Sequence, residues 1–304
     1  MKILITGGAG FIGSNIADAY LKEGHEIIVV DNFSTGKKEN LSNQVKVYSV
    51  DITSPDIANI IASEKPDIIN HHAAQIDVRK SVADPAYDAD QNIIGSLNII
   101  AAAQKAGVKK IIFASSGGAI YGEQSYYPAD EKHPTDPRSP YGITKLTVEK
   151  YLQFYRWTYG MDFVALRYAN VYGPRQNAHG EAGVIAIFCE KILRGQTPVI
   201  NGDGKQTRDY VFVEDVVACN VAALNPSVSG IFNVGTSVET DVITLTQKLI
   251  QISQSKLTAQ HGPAKAGEQM RSCLKPGALQ TIKPASFETG LQKTFEWFSK
   301  QTKS

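Results

Sequence analysis

Short apolar runs alternate, over the first half of the chain, with longer segments whose apolar residues recur every three or four positions. Residues 3–6 form the first run. A glycine-rich turn follows, then a helical pattern through Ala17, Tyr20 and Leu21 to Gly24. Residues 26–30 read as a second strand ending at Asp31, 45–50 as a strand, 56–63 as a helix and 67–70 as a strand. A long helix over 89–106 is closed by Gly107, a strand covers 110–114, and Ser139-Pro140 opens a helix that runs to Gly160. A strand over 163–168 completes the alternation. Strands separated by helices predict an α/β fold with a doubly wound parallel sheet, whose ligands lie beyond the carboxyl ends of the strands. After Tyr168 the rhythm loosens: 170–176 is turn-like, 181–193 helical and 199–204 a turn-rich loop. The expected organisation is a nucleotide-binding domain over 1–179 plus about 207–236, and a smaller C-terminal substrate-binding lobe from 180–206 and 237–304.

The first turn carries a dinucleotide fingerprint in the spacing Gly7-x-x-Gly10-x-x-Gly13, placed between a strand and a helix. Glycines there let the backbone approach a pyrophosphate at the helix N-terminus. Asp31 ends the next strand, 18 residues past Gly13, where an acid accepts hydrogen bonds from an adenosine ribose. The sheet is therefore expected to be of Rossmann type. Asp31 also repels a 2′-phosphate, favouring NAD over NADP, while Lys37 and Lys38 in the next loop pull the other way.

Further along, the helix opened by Ser139-Pro140 puts Tyr141 and Lys145 one turn apart on a single face. A nearby ammonium favours the phenolate, which makes the tyrosine a usable general acid/base. With 13 tyrosines in the chain, about one Tyr-x-x-x-Lys is expected by chance. Its weight comes from the dinucleotide fingerprint that precedes it.

Composition narrows the classes. A chain of 304 residues with a formal net charge of +1 has no electrostatic footprint for nucleic acid or an acidic membrane surface. The three cysteines, Cys189, Cys219 and Cys273, are odd in number and far apart, so neither a disulfide framework nor a metal site is expected, and a reducing cytoplasm fits best. No apolar stretch reaches the length of a membrane span, and the strand beginning near Met1 leaves no room for a signal peptide.

Taken in order, the glycine turn, Asp31, His71-His72-Ala73-Ala74-Gln75, Ser115-Ser116, Tyr141-x-x-x-Lys145, residues 167–174 (RYANVYGP) and residues 202–210 (GDGKQTRDY) resemble the extended short-chain dehydrogenase/reductases. More closely, the chain resembles their nucleotide-sugar epimerase branch, of which UDP-glucose 4-epimerase is the best-known member. The resemblance implies NAD as cofactor, with Gly7, Gly10, Phe11, Ile12 and Gly13 at the pyrophosphate, Asp31, Asn32, Ser34, Thr35 and Gly36 around the ribose, and Asp51 with Ile52 beside the adenine. It places Ala73, Ala74, Gln75, Asn92, Ser115 and Tyr168 along the nicotinamide half. A UDP-sugar is the implied substrate, with Asn170 and Arg208 at the diphosphate and Val184, Val199, Asn201, Tyr210, Glu268 and Arg271 framing the nucleotide. For Arg208 there is a physical case as well, because a planar guanidinium matches phosphate oxygens in a bidentate fork. A homodimer through the helices at 89–106 and 141–159 is also implied.

The chain departs from the family at one point. A Ser or Thr usually stands four residues before the Tyr-Gly pair that closes the loop after the fifth strand, and here that position is Gly117. Ser116 is the candidate to replace that hydroxyl, completing a catalytic set of Tyr141, Lys145 and Ser116. The same loop lacks the Asp-Glu pair of nucleotide-sugar 4,6-dehydratases and the Glu of the related decarboxylases. The expected activity is epimerisation at C4 of UDP-glucose or UDP-galactose, with UDP-N-acetylhexosamines admitted by the small Ser272. UDP-glucuronate 4-epimerisation, another nucleotide-sugar oxidoreduction, a free-cofactor ketoreductase and a catalytically silent dinucleotide-binding protein are the alternatives.

Overall fold

The computed structural model describes residues 1–178, 183–265, 269–280 and 284–302. Its strands are β1 (Lys2–Thr6), β2 (Glu26–Asp31), β3 (Lys46–Ser49), β4 (Ile68–His71), β5 (Lys110–Ser116), β6 (Asp162–Tyr168), β7 (Asn170–Tyr172), β8 (Val199–Asn201), β9 (Thr207–Phe212), β10 (Gly230–Val234), β11 (Glu239–Asp241), β12 (Gln260–Gly262) and β13 (Arg271–Ser272). Between them run α1 (Phe11–Lys22), α2 (Asp56–Glu64), α3 (Val78–Ala83), α4 (Pro85–Ala89), α5 (Gly95–Ala106), α6 (Gly117–Ile120), α7 (Pro140–Tyr159), α8 (Val184–Leu193), α9 (Val213–Ala222), α10 (Val242–Ser253) and α11 (Phe287–Thr302).

Seven strands form one parallel sheet in the order β10-β6-β5-β4-β1-β2-β3. Chain direction across the sheet reverses between β1 and β4, which opens a crevice at their carboxyl ends. Both faces of a parallel sheet are covered, so its strands are apolar at nearly every position. Ile3 and Ile5 pack with Ile16, Tyr20 and Val216 on the α1 and α9 side. Leu4 points the other way, onto Ile57, Ile61, Ile99 and Ile100. A third core gathers Phe188, Leu245, Leu249, Leu291 and Phe298 with Tyr210 and Phe212 of β9. β9 pairs with β7, β11 and β13 in a second sheet, whereas β10 belongs to the central one.

Some elements differ from the periodic expectation. The helical stretch expected over 89–106 starts earlier, as α4, and passes through a π-helical turn at Asp90–Ile94 before α5. The extra residue of that turn is invisible to a 3.6-residue pattern. β5 runs two residues further than expected because Ser115 and Ser116 pair in register with Arg167 and Tyr168. Residues 170–172 and 199–201 are short strands, since β9 and β12 supply them with partners the local sequence does not reveal. Helix α8 begins at Val184, and the start expected at 181 lies outside the described residues.

α7 is delimited as its sequence dictates. The Gly142 N–H donates to Ser139 Oγ at 3.2 Å, Pro140 occupies the first turn, and Gly160 closes the helix at φ +71°. Its middle is tied to the sheet by a buried ion pair, in which Arg167 donates to Glu149 at 2.9 Å from Nε and 2.6 Å from Nη2. Ser115 Oγ donates to the same carboxylate at 2.6 Å. Removing one partner of such a pair leaves an uncompensated buried charge. Glu149→Ala is therefore expected to cost about 3–5 kcal/mol in urea unfolding, and Glu149→Leu combined with Arg167→Met to recover most of it. A single-variant loss below about 1 kcal/mol, the range of exposed pairs, would contradict this role.

Candidate active site

The turn after β1 is built so that backbone meets backbone. Gly7 has φ +67°, and a Cβ there would stand 2.6 Å from the Ala73 nitrogen in the segment that follows β4. A Cβ on Gly13 would stand 2.3 Å from the Gly7 carbonyl oxygen. At Gly10 the nearest obstacle is only that same oxygen, at 3.2 Å, so the turn is open on this side. Gly10 also caps α1 without any side-chain hydrogen bond. The first-turn N–H groups of Phe11 and Ile12 thus face the crevice end of the helix with its positive dipole, a fit for a dinucleotide's pyrophosphate.

Asp31 is buried at the end of β2. Its Oδ2 accepts from the Ala9 N–H at 2.9 Å and its Oδ1 from the Phe33 N–H at 2.8 Å. Burial raises its pKa, and the two backbone donors oppose that shift. Gly36 closes against it: a Cβ there would lie 2.9 Å from Asp31 Oδ1. Asn32 Nδ2 donates to Asp51 Oδ2 at 2.7 Å, while Asn32 Oδ1 accepts from Ser34, so the segments after β2 and β3 are stapled together with Asn32, Ser34 and Thr35 exposed. Burial opposes ionisation of Asp51, yet the donors Thr53 and Asn32 outweigh it and hold its pKa low. The Ile52 side chain is buried and packed against Gly95 of α5.

Several of the residues expected along the nicotinamide half also make hydrogen bonds within the protein. Asn92, in the π-helical turn, accepts from the Gln75 N–H at 2.8 Å and donates to the Gln75 carbonyl at 2.9 Å and to Asp88 at 3.0 Å. It pins the segment carrying Ala73, Ala74 and Gln75. Ser115 is turned into the protein, onto Glu149. Tyr168 is buried, its hydroxyl within 3.1 Å of His72 Nε2 and accepting from Asn220 at 2.9 Å, and burial pushes its pKa up. The two histidines, read only as part of a motif, are structural: His71 bridges Thr6 and Ser96 at 2.7 and 2.9 Å, and His72 stacks on Tyr168. Burial, reinforced by the Lys145 charge, lowers His71 well below its ordinary value and His72 to about 3.

Tyr141 and Lys145 meet as expected, with Lys145 Nζ 5.7 Å from the centre of the Tyr141 ring. Lys145 is 4% exposed and donates to the Ala114 carbonyl at 2.9 Å. Burial lowers its pKa to about 8, with the Asp88 carboxylate pulling the other way. Asp88, missed in the sequence, is itself held by Gln75, Asn92 and Thr144 at 2.8–3.1 Å. The loop of Ser116 packs directly beside Tyr141, since a Cβ on Gly142 would stand 2.6 Å from the Ala119 carbonyl oxygen. Ser116 is half-buried, and among the described residues nothing holds its hydroxyl. Gly118 faces Asn170, whose Oδ1 would be 3.9 Å from a Cβ there.

On the lobe side, Asn170 pairs in register with Tyr210, and Arg208 pairs with Ser272. Arg208 and Tyr210, two residues apart on β9, therefore share one face of that strand. Tyr210 stacks on Phe287. Arg271 forks onto Glu239 at 2.6 and 3.0 Å and lies over the Tyr127 ring at 3.8 Å. Val184 opens α8, while Val199 and Asn201 flank β8. Glu268 lies outside the described residues. No cluster of His, Cys, Asp or Glu suited to a metal occurs among the described residues.

Comparison with known proteins extends these observations to the whole chain. The family described as the NAD dependent epimerase/dehydratase family matches residues 3–235. A UDP-glucose 4-epimerase of Mycolicibacterium smegmatis is 42% identical over 308 residues, covering 98% of each chain. The crystal structure of UDP-glucose 4-epimerase with UDP-glucose from Thermotoga maritima superposes with a TM-score of 0.96 at 44% identity, over 99% of this chain and 100% of that one. The Thermus thermophilus UDP-glucose 4-epimerase in complex with NAD gives 0.93 at 40% identity, over 98% and 99%.

The buried ammonium makes a pH-dependent prediction. The folded-state pKa of Lys145, about 8, lies below its ordinary 10.5, so between these values the unfolded chain binds more protons and stability rises with pH. The cost of burying the charge is fully present below pH 8 and fades toward pH 10.5. Compared with Lys145→Met in urea unfolding, the wild type is expected to gain on the order of 3 kcal/mol between pH 7 and 10.5. A difference independent of pH would mean that the ammonium is not desolvated.

Proposed function

Because the chain belongs to the NAD dependent epimerase/dehydratase family, we propose that it inverts C4 of a UDP-hexose, interconverting UDP-glucose and UDP-galactose and extending to the UDP-N-acetylhexosamines. The observation that carries this reading is the Tyr141 ring beside the buried Lys145 ammonium, at the crevice end of a dinucleotide cradle. The loop next to them, Ser115-Ser116-Gly117-Gly118-Ala119, contains no carboxylate to shuttle a proton for water loss. That favours epimerisation over dehydration.

NAD, the family's cofactor, would supply a hydride acceptor and donor for C4 when bound in this cradle. Tyr141 takes the proton of the sugar's 4-hydroxyl at its phenolic oxygen and gives it back after the 4-keto sugar has turned over in the pocket. Lys145, fixed on the Ala114 carbonyl, sets its ammonium beside that phenol, where a positive charge favours the ionised oxygen. Ser116 donates a hydrogen bond to the sugar 4-oxygen. Gly7, Gly10, Phe11, Ile12 and Gly13 receive the cofactor's pyrophosphate, Asp31 its ribose, and the Ala73–Gln75 backbone its nicotinamide half.

Asn170 and Arg208 hold the substrate diphosphate, and Val184, Val199, Asn201, Tyr210 and Arg271 frame the uridine, with Glu268 assigned there on the family resemblance alone. The small Ser272 leaves volume for a 2-acetamido group. The enzyme is assigned to the cytoplasm, in keeping with free, buried cysteines. It is assigned as a homodimer through α7, where Ile143, Tyr151 and Phe154 form an exposed apolar stripe beside Ile94. Phe154, Trp157 and Tyr159 are all exposed, so none of them serves as core.

Purified protein offered UDP-galactose or UDP-N-acetylglucosamine without added NAD is expected to yield the 4-epimer, identified by NMR. Tyr141→Phe should lose about 10³-fold or more in turnover and Ser116→Ala about 10- to 100-fold, as for removal of a proton donor or a positioned hydrogen bond. Full activity of Ser116→Ala would leave the Tyr141–Lys145 pair acting alone. Absence of any 4-epimer, with UDP-glucuronate included, would refute the assignment.

A further inference from the structure

Gly117 is buried, and a Cβ built on it would stand 2.4 Å from Leu274 Cδ1 and 3.0 Å from Cδ2. Leu274 comes from the C-terminal lobe, three residues after Arg271, and is fully buried. Its backbone is clamped from several directions. The Leu274 N–H donates to Asp209 Oδ2 at 3.1 Å, and its carbonyl accepts from the Ser237 N–H at 3.1 Å. On either side of it, the Ala129 N–H donates to the Cys273 carbonyl at 2.9 Å and the Lys275 N–H to the Ala129 carbonyl at 2.8 Å. Cys273 is held further by Gln124 at 3.0 Å.

Retreat of the side chain is blocked as well. Tyr121, Ala129 and Ala169 close around it. Behind its Cβ lies Gly235, where an added Cβ would be 2.9 Å away. A methyl group at 117 therefore has no space to enter without moving a packed core, which is costly.

We propose that Leu274 is the positioning residue of the catalytic loop: reaching over from the lobe, it fills the place of a side chain at 117, fixes the backbone path of residues 116–118, and so leaves Ser116 as the carrier of the hydroxyl. The assignment rests on the C4-epimerase reading of the site. It also gives the lobe a mechanical link to the chemistry. Asp209, which anchors Leu274, follows Arg208 directly on β9 and is itself held by the Thr236 N–H and hydroxyl at 2.6–3.0 Å. The strand that presents Arg208 to the diphosphate and the loop that presents Ser116 to the sugar are thereby joined through one apolar contact.

A double-mutant cycle on the full-length protein tests this, with kcat and KM for UDP-galactose measured for the wild type, Gly117→Ser, Leu274→Ala and the double variant. Gly117→Ser is expected to lower kcat by about tenfold or more, as a displaced loop does, with KM changed much less. The double variant should recover most of that loss, because truncation at 274 vacates the space. Leu274→Met, which conserves volume, should keep kcat within about threefold of the wild type. Wild-type kcat in Gly117→Ser, or a loss in the double variant equal to the product of the single losses, would overturn the proposal. Should the wild type turn over no UDP-sugar, the epimerase reading is what fails. The same cycle read in urea midpoints then decides the packing claim: a double variant more stable than Gly117→Ser upholds it, and additive losses refute it.

Discussion

The hydrogen bond from Lys145 Nζ to the Ala114 carbonyl is the joint on which the site depends. An ammonium removed from water must find acceptors, and this one finds the backbone of β5 two residues before Ser116. The bond fixes α7 against the carboxyl end of the central sheet, and with it the position of Tyr141. Because the partner is a carbonyl, the charge is left unneutralised at close range and acts on its surroundings. It helps keep both buried histidines neutral, and it stands beside the Tyr141 ring. Asp88 supplies the opposing field while gathering Gln75, Asn92 and Thr144.

Around that joint the molecule brings backbone up to backbone at glycines and lets the lobe close the other side. Gly7 and Gly13 permit the approach of the Ala73 segment and of α1 to the first turn. Gly117 performs the same service for Leu274. The buried Arg167–Glu149 pair, with Ser115 on the same carboxylate, stiffens β5 and β6 where these contacts meet. The positions of the reacting groups are thus set by elements from both halves of the chain.

What could be read in the sequence was what is local. The glycine spacing, the acid ending β2, the Ser139-Pro140 helix start and the one-turn separation of Tyr141 and Lys145 all depend on residues a few places apart. The parallel sheet followed from its apolar strands. What could not be read depends on distant partners. Ser115 and Ser116 look equivalent in sequence, yet the parity of β5 sends one hydroxyl to Glu149 and leaves the other without a partner among the described residues. Asn92 and Tyr168 carry polar groups whose tertiary hydrogen bonds, to Gln75 and Asn220, the local sequence does not reveal. The absence of a side chain at 117 was visible; the leucine 157 positions later that occupies its space was not.

The central claim is that inversion at C4 proceeds by removal and return of the same C4 hydrogen while Tyr141 moves only the hydroxyl proton. UDP-galactose deuterated at C4, converted by the wild-type protein in ordinary water with excess unlabelled NAD present, tests it most directly. The account predicts UDP-glucose with the deuterium retained at C4, seen by NMR and mass spectrometry. Deuterium lost to solvent would contradict it, because the C4 hydrogen would then have left as a proton.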